Sequence, residues 1–153
     1  MESTTTLDRA ELALLLASDI VTPEQPRFPL DRIRLQKAVF LVTHSGHPDW
    51  SAVSDFRPYN WGPYSSQLTE DVRVLKRSSE LIEEEFPGSQ YGSYRTLPAG
   101  ERRAAEVWAR LSEAEQDYIR RVREYVSAKS FQQLLREVYA KFPEYATASH
   151  FRG

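Results

Sequence analysis

The chain has 153 residues, of which 41% are hydrophobic, 12% aromatic and 27% charged, a globular mixture of a size that makes one domain around one core. Its formal net charge of -2 exerts no global pull on nucleic acid or anionic membrane, so binding of either kind needs a local basic patch. Cysteine is absent, which excludes disulfides and thiolate metal sites within the chain and fits a reducing compartment. Met1-Glu2-Ser3-Thr4-Thr5-Thr6 lacks the basic and apolar regions of a leader, and no stretch approaches the roughly 20 apolar residues that span a bilayer. The expectation is a cytoplasmic, single-domain protein over residues 1–153, with no membrane segment.

Leu7, Leu12, Leu15 and Leu16 fall near helical spacing, and Val21-Thr22-Pro23-Glu24-Gln25-Pro26-Arg27-Phe28-Pro29 ends that helix because three prolines cannot sustain it. Leu35, Ala38, Val39 and Val42 then recur at i, i+3, i+4 and i+7, and Ile33, Phe40 and Leu41 widen the stripe until it nearly encircles a central helix. Ser45-Gly46-His47-Pro48 marks its end, glycine for a left-handed cap and proline against continuation. From Asp55 to Trp61 the short aromatic pattern interrupted by Pro58 predicts an extended edge strand. Beyond Gly62-Pro63, Ser65 or Ser66 caps a helix with Leu68, Val72 and Leu75 as its apolar stripe.

Glu80 to Leu97 reads as a hairpin around Pro87-Gly88-Ser89-Gln90. The competing pattern is continuation of the preceding helix through Glu83-Glu84-Glu85, since glutamate favours helix over strand. Three helices close the chain on the stripes Ala104, Val107, Trp108, Leu111; Tyr118, Val122, Tyr125, Val126; and Phe131, Leu134, Leu135, Val138, Tyr139. Pro98 starts the first, and Ser112 with Glu115 and Ser130 with Gln133 match the capping-box spacing of the others. The fold class is therefore mainly α (α+β): a winged-helix-like core over about residues 7–97, three C-terminal helices over about 98–142, and a short tail, 143–153.

The order helix, helix, strand, helix, hairpin, helix is that of a winged helix. On that geometry Tyr64, Ser65, Ser66, Gln67, Arg73, Lys76 and Arg77 are the surface of a reading helix, and Arg95 projects from the wing. Against it, Glu70 and Asp71 lie on the same helix and Glu80, Glu83, Glu84 and Glu85 on the first wing strand, where they repel phosphate. His44, His47 and Asp49 at a helix end lack a further ligand, so no metal site is assigned. No nucleophile elbow and no phosphate loop occurs, no catalytic residue is assigned, and no cofactor is called for.

Trp50, Phe56, Tyr59, Trp61 and Tyr64 fall within fifteen positions. Phe56 and Trp61 are assigned to the core, while Tyr59, Asn60 and Tyr64 present hydrogen-bonding tips near a helix N-terminus where an acidic side chain or a chain terminus docks. Leu35-Gln36-Lys37-Ala38-Val39-Phe40-Leu41, followed by Tyr59-Asn60-Trp61-Gly62-Pro63-Tyr64-Ser65-Ser66-Gln67-Leu68, resembles the Leu-Gln-Lys-Leu helix and Tyr-Gly-Pro-Tyr-Ser segment of YwgA-like proteins. More distantly it is similar to the Leu-x-Lys-Leu and Gly-Pro signatures of the SocA-like Panacea antitoxin domain, from which Ala38-Val39-Phe40 and the tyrosine after Gly-Pro depart. Tyr94 to Arg102 looks like the wing-to-helix junction of multiple-antibiotic-resistance-type regulators. The resemblance implies a bacterial or phage-derived, non-enzymatic antitoxin or adaptor that grips a partner protein, such as a toxin or a protease component, through Lys37, Tyr59, Asn60 and Tyr64. The alternative is a transcription regulator, dimeric through its C-terminal helices, that binds duplex DNA through Ser66, Gln67, Arg73, Lys76, Arg77 and Arg95.

Overall fold

The structure is a computed structural model that describes residues 5–22, 30–44, 50, 55–87 and 92–149. The prolines from Pro23 to Pro29, His47, Asp49 and the turn Gly88-Ser89-Gln90 lie outside these residues.

The first helix, α1 (Arg9–Ala17), begins at a capping box formed by Asp8 and Glu11. Leu7 precedes that cap, so it is buried as a flanking residue and not as part of the helical stripe. Leu12 to Ala17 are all buried, because α1 lies among the second, third and fourth helices. The second helix, α2 (Arg32–His44), is enclosed as its pattern predicts, with Leu35, Ala38, Val39, Phe40 and Val42 buried. Phe40 stacks on His44 at 4.1 Å and meets Phe56, Phe142 and Tyr145 edge-on at 5.3, 4.9 and 4.8 Å. Those aromatic partners bring the segment after α2 and the end of the chain onto one ring.

After α2 the chain makes a hairpin where one edge strand is expected. Strands β1 (Arg57–Tyr59) and β2 (Gly62–Tyr64) pair antiparallel, with Pro58 opposite Pro63. Two prolines are tolerated there because facing residues of a non-hydrogen-bonded pair need no N–H. Helix α3 (Ser66–Arg77) follows, its N-terminus capped by the Ser65 hydroxyl, which accepts from Leu68 N and donates to Asp55 at 2.5 Å.

Ser78 and Ser79 decide between hairpin and continued helix. Ser79 adopts φ 60°, its N–H donates to Lys76 O, and Glu80 N donates to Leu75 O. This reverse-turn closure of a helix normally uses glycine in the left-handed position. Past it, β3 (Leu81–Glu84) and β4 (Ser93–Thr96) form the expected hairpin, with Ile82 opposite Arg95. The two hairpins are separate two-stranded sheets.

The three closing helices are α4 (Pro98–Arg110), α5 (Glu113–Ala128) and α6 (Phe131–Lys141), and both predicted capping boxes form. Ile119, Val122 and Val126 are the buried stripe of α5. Tyr118 lies beside that stripe, half-buried, with its hydroxyl donating to Leu41 O at 2.9 Å. After α6 the chain does not leave the fold: a 3-10 turn over Pro143–Ala146 lies against β1 and β2, and Ser149 Oγ donates to Asn60 O at 3.3 Å. Among the described residues, no helix is long and apolar enough to cross a membrane.

A serine in the left-handed region costs roughly 1–2 kcal/mol that glycine avoids, less what glycine loses in chain entropy. Ser79→Gly is therefore expected to raise the urea midpoint, equivalent to about 1 kcal/mol, without changing the denaturant slope.

Candidate binding groove

Lys37 is the residue around which the site is built. It falls on a helix enclosed on most sides, so its side chain is only 3% exposed. Its Nζ donates to the carbonyl oxygen of Pro63 at 3.2 Å. Gly62 adopts φ +100°, and a Cβ there would stand 2.6 Å from Lys37 Cε and 2.9 Å from Leu135 Cδ2. Glycine is required twice over, by the backbone angle and by the side chain running beneath it. The lysine and the Gly-Pro pair, far apart in sequence, are thus one contact.

Gln36, the neighbouring polar residue, is spent in the same way. Its Nε2 donates to Ser65 O at 3.0 Å and to Thr69 Oγ1 at 3.1 Å, and its Oε1 accepts from Ser65 N at 2.8 Å. Thr69 Oγ1 donates in turn to Tyr64 Oη at 2.8 Å. Buried amide groups left without partners cost about 1–3 kcal/mol each, so this network holds β2 and the start of α3 at a fixed distance from α2.

The gap left between these elements is a groove of about 470 Å³. Lys37, Gln36 and Gly62 lie along it, with Leu68 and Val72 from α3 and Tyr94 from β4. Tyr59, Trp61 and Tyr64 from the first hairpin, and Arg32, Arg73 and Lys76, also line it. Tyr59 and Tyr64 stack at 4.9 Å. Arg32 binds Glu83 through two nitrogens, at 2.8 and 2.9 Å, and Lys76 reaches the same carboxylate at 3.3 Å. These cations hold the Glu83 carboxyl below its usual range.

The groove brings together residues expected on two different surfaces. Lys37, Tyr59 and Tyr64 belong to the partner-binding set, Arg73 and Lys76 to the DNA-binding set. Asn60 is not part of its lining; at the tip of the β1–β2 turn it is fastened through its carbonyl to Ser149. Ser66, Gln67 and Arg77 are exposed on α3 outside the groove. Arg95 does not stand out alone from the wing, because its guanidinium is held by Glu84 at 2.8 and 3.2 Å.

Trp61 corrects its assignment to the core. It is 42% exposed, because the hairpin turns at Asn60-Trp61 and carries the ring outward to meet Phe131 edge-on at 5.7 Å. Phe56 is buried as expected. Gln36, Arg32 and Thr69 were not singled out from sequence. The available signal was the pair Gln36-Lys37 inside an otherwise apolar helix, two polar residues that such a helix tolerates only with partners.

His44, the described member of the histidine pair, has its ring stacked on Phe40, with Nδ1 3.0 Å from Phe40 O and Nε2 3.4 Å from Tyr145 Oη. Burial lowers its pKa. Among the described residues, no group of three His, Cys, Asp or Glu side chains could hold a metal ion.

Fold and groove together define a mainly helical protein with two hairpins, one of which contributes exposed aromatic side chains to a groove also lined by cations. No protein-family model matches the chain, and no curated protein does.

Burial pushes the Lys37 ammonium down from its ordinary 10.5 to about 7, partly offset by Asp31. The unfolded chain therefore holds a proton on this lysine, between those two pH values, that the folded chain releases, so stability rises with pH across that window. The expected slope is up to about 1.4 kcal/mol per pH unit. Urea titrations at about pH 7, 8 and 9 read it directly, and Lys37→Met is expected to flatten the profile.

Proposed function

We propose that the chain is a non-enzymatic interaction module of the antitoxin or adaptor kind, acting in the cytoplasm, whose groove grips a segment of a partner protein such as a toxin or a protease component. The observation that carries this is the exposed aromatic rim, Tyr59 at 51% and Trp61 at 42%, standing over a concavity of about 470 Å³. Exposed rings beside a preformed pocket are what binding hot spots are made of, since large rigid side chains give contact area at small entropic cost. The polar groups behind the rim support the same reading. Gln36, Tyr64 and Thr69 are committed to one another and to backbone, which gives a receptor surface fixed in advance rather than one assembled on binding.

Duplex DNA is the alternative partner, with the protein dimeric through its C-terminal helices. One observation favours it: Ser66, Arg73 and Arg77 recur at i, i+7 and i+11 along α3, and all three are exposed. On the same stripe, however, Glu70 binds Arg73, and Lys76 and Arg95 are likewise held by Glu83 and Glu84. Each local carboxylate cancels attraction that phosphate would need.

Copurification of the tagged full chain from the cells that encode it tests the first reading. One protein is expected to be enriched, and Tyr59→Ala with Trp61→Ala is expected to reduce that enrichment at least tenfold at an unchanged melting temperature. Absence of any enriched protein, or enrichment indifferent to the two rings, overturns it. Duplex binding that falls steeply with salt and is lost in Arg73→Ala with Arg77→Ala would instead establish the DNA reading.

A further inference from the structure

Resting on the reading of the groove as a protein-binding site, we propose that its occupant is an acidic peptide segment and that one Asp or Glu side-chain carboxylate of that segment is bound by Lys37. An ammonium carries three donors. Lys37 Nζ has one hydrogen bond, to Pro63 O, and among the described residues no carboxylate lies within salt-bridge distance of it. Burying a cation without a counter-ion is costly, and this one lies in the wall of an open groove and not in a closed core. A carboxylate entering there supplies the missing partner.

The surroundings select the sign of the occupant. Facing Lys37 from its own helix are Arg32 and, just before the helix, Asp31, whose carboxylate is already held by Arg34 at 2.6 Å. Helix α3 contributes Arg73 and Lys76, while β1 and β2 contribute the phenols of Tyr59 and Tyr64. From the second hairpin come Tyr94, whose hydroxyl is pushed up by burial, and Glu83, shared by Arg32 and Lys76. Helix α6 brings the apolar Leu135 against the lysine's path. No carboxylate is among the lining residues, and of the four cations there Arg32 and Lys76 are bound by Glu83 and Arg73 by Glu70, which leaves Lys37 without a carboxylate partner. A carboxylate of an acidic segment meets Lys37, and the segment's apolar side chains meet the exposed rings of Tyr59 and Trp61.

Capture is coupled to a proton. Lys37 releases its proton near pH 7 when the groove is empty, and a bound carboxylate restores the charged form. Binding therefore takes up about half a proton at pH 7 and close to one at pH 8, and affinity falls about tenfold for each pH unit above 7.

The probe is a library of random heptapeptides displayed through their C-termini, so that no free terminal carboxylate is present, selected on the full chain at about pH 6.5. Peptides rich in Asp or Glu are expected. Synthesised with amidated ends, they should show proton uptake by calorimetry in two buffers of different ionisation heat and should lose at least tenfold in affinity with Lys37→Met. Selected peptides without acids, no selected peptide, or binding without proton uptake overturns the proposal. The proton measurement uses the unmodified chain, so it decides the matter even where Lys37→Met fails to fold. A partner that copurifies through Tyr59 and Trp61 but binds without proton uptake sinks this inference and leaves the protein-binding reading standing. Acidic peptides bound with proton uptake while no protein copurifies do the reverse.

Discussion

Helix α2 is surrounded by other elements along most of its length, yet it carries Gln36 and Lys37 in its middle, and both are buried. A polar group removed from water must find partners or destabilise the fold by a few kcal/mol. The partners available are the backbone of β2 and the first turn of α3: Pro63 O for the lysine, Ser65 N and O for the glutamine. That requirement fixes where the first hairpin ends and where α3 begins. It also forces Gly62 into a left-handed backbone with no room for a side chain. The hairpin, the helix cap and the groove are consequences of satisfying two adjacent side chains.

The two residues are satisfied to different degrees, and the difference separates structure from function. Gln36 uses its amide nitrogen twice and its carbonyl once, all within the fold, so it serves as a brace. Lys37 uses a single donor. A side chain whose bonding is complete fixes geometry; one whose bonding is incomplete, in a wall open to solvent, retains capacity for a ligand. Arg32, Arg73, Lys76, Arg95 and Arg103 lack this property, because each holds a neighbouring glutamate. Counting arginines along α3 therefore overstates its field.

Where a pattern depends on neighbours in sequence, it was legible. The capping boxes at Ser112 and Ser130 form as their spacing requires, and the stripe Leu68, Val72, Leu75 is buried as read. The turn at Ser78-Ser79 was less so, since serine seldom takes the left-handed position that here ends α3. The single strand expected from Asp55 to Trp61 became a hairpin because Pro58 pairs with Pro63, a coupling that neither proline announces alone. Trp61 illustrates the limit: a large aromatic is ordinarily buried, but its place in a two-residue turn decided its exposure.

By itself the sequence determined the number and order of helices, the caps of α3, α5 and α6, the buried nature of α2 and the mainly helical class, because each rests on interactions within a few residues along the chain. It also marked Lys37 and Gly62-Pro63 as the points of a motif. Only the tertiary structure decided that these points touch, that Tyr59 and Trp61 line one groove with Lys37 while Asn60 is tied to Ser149, and that Arg73, Lys76 and Arg95 are held by glutamates. Those are contacts between elements, set by how helices and hairpins settle against one another to satisfy buried polar groups, and no spacing along the chain encodes them.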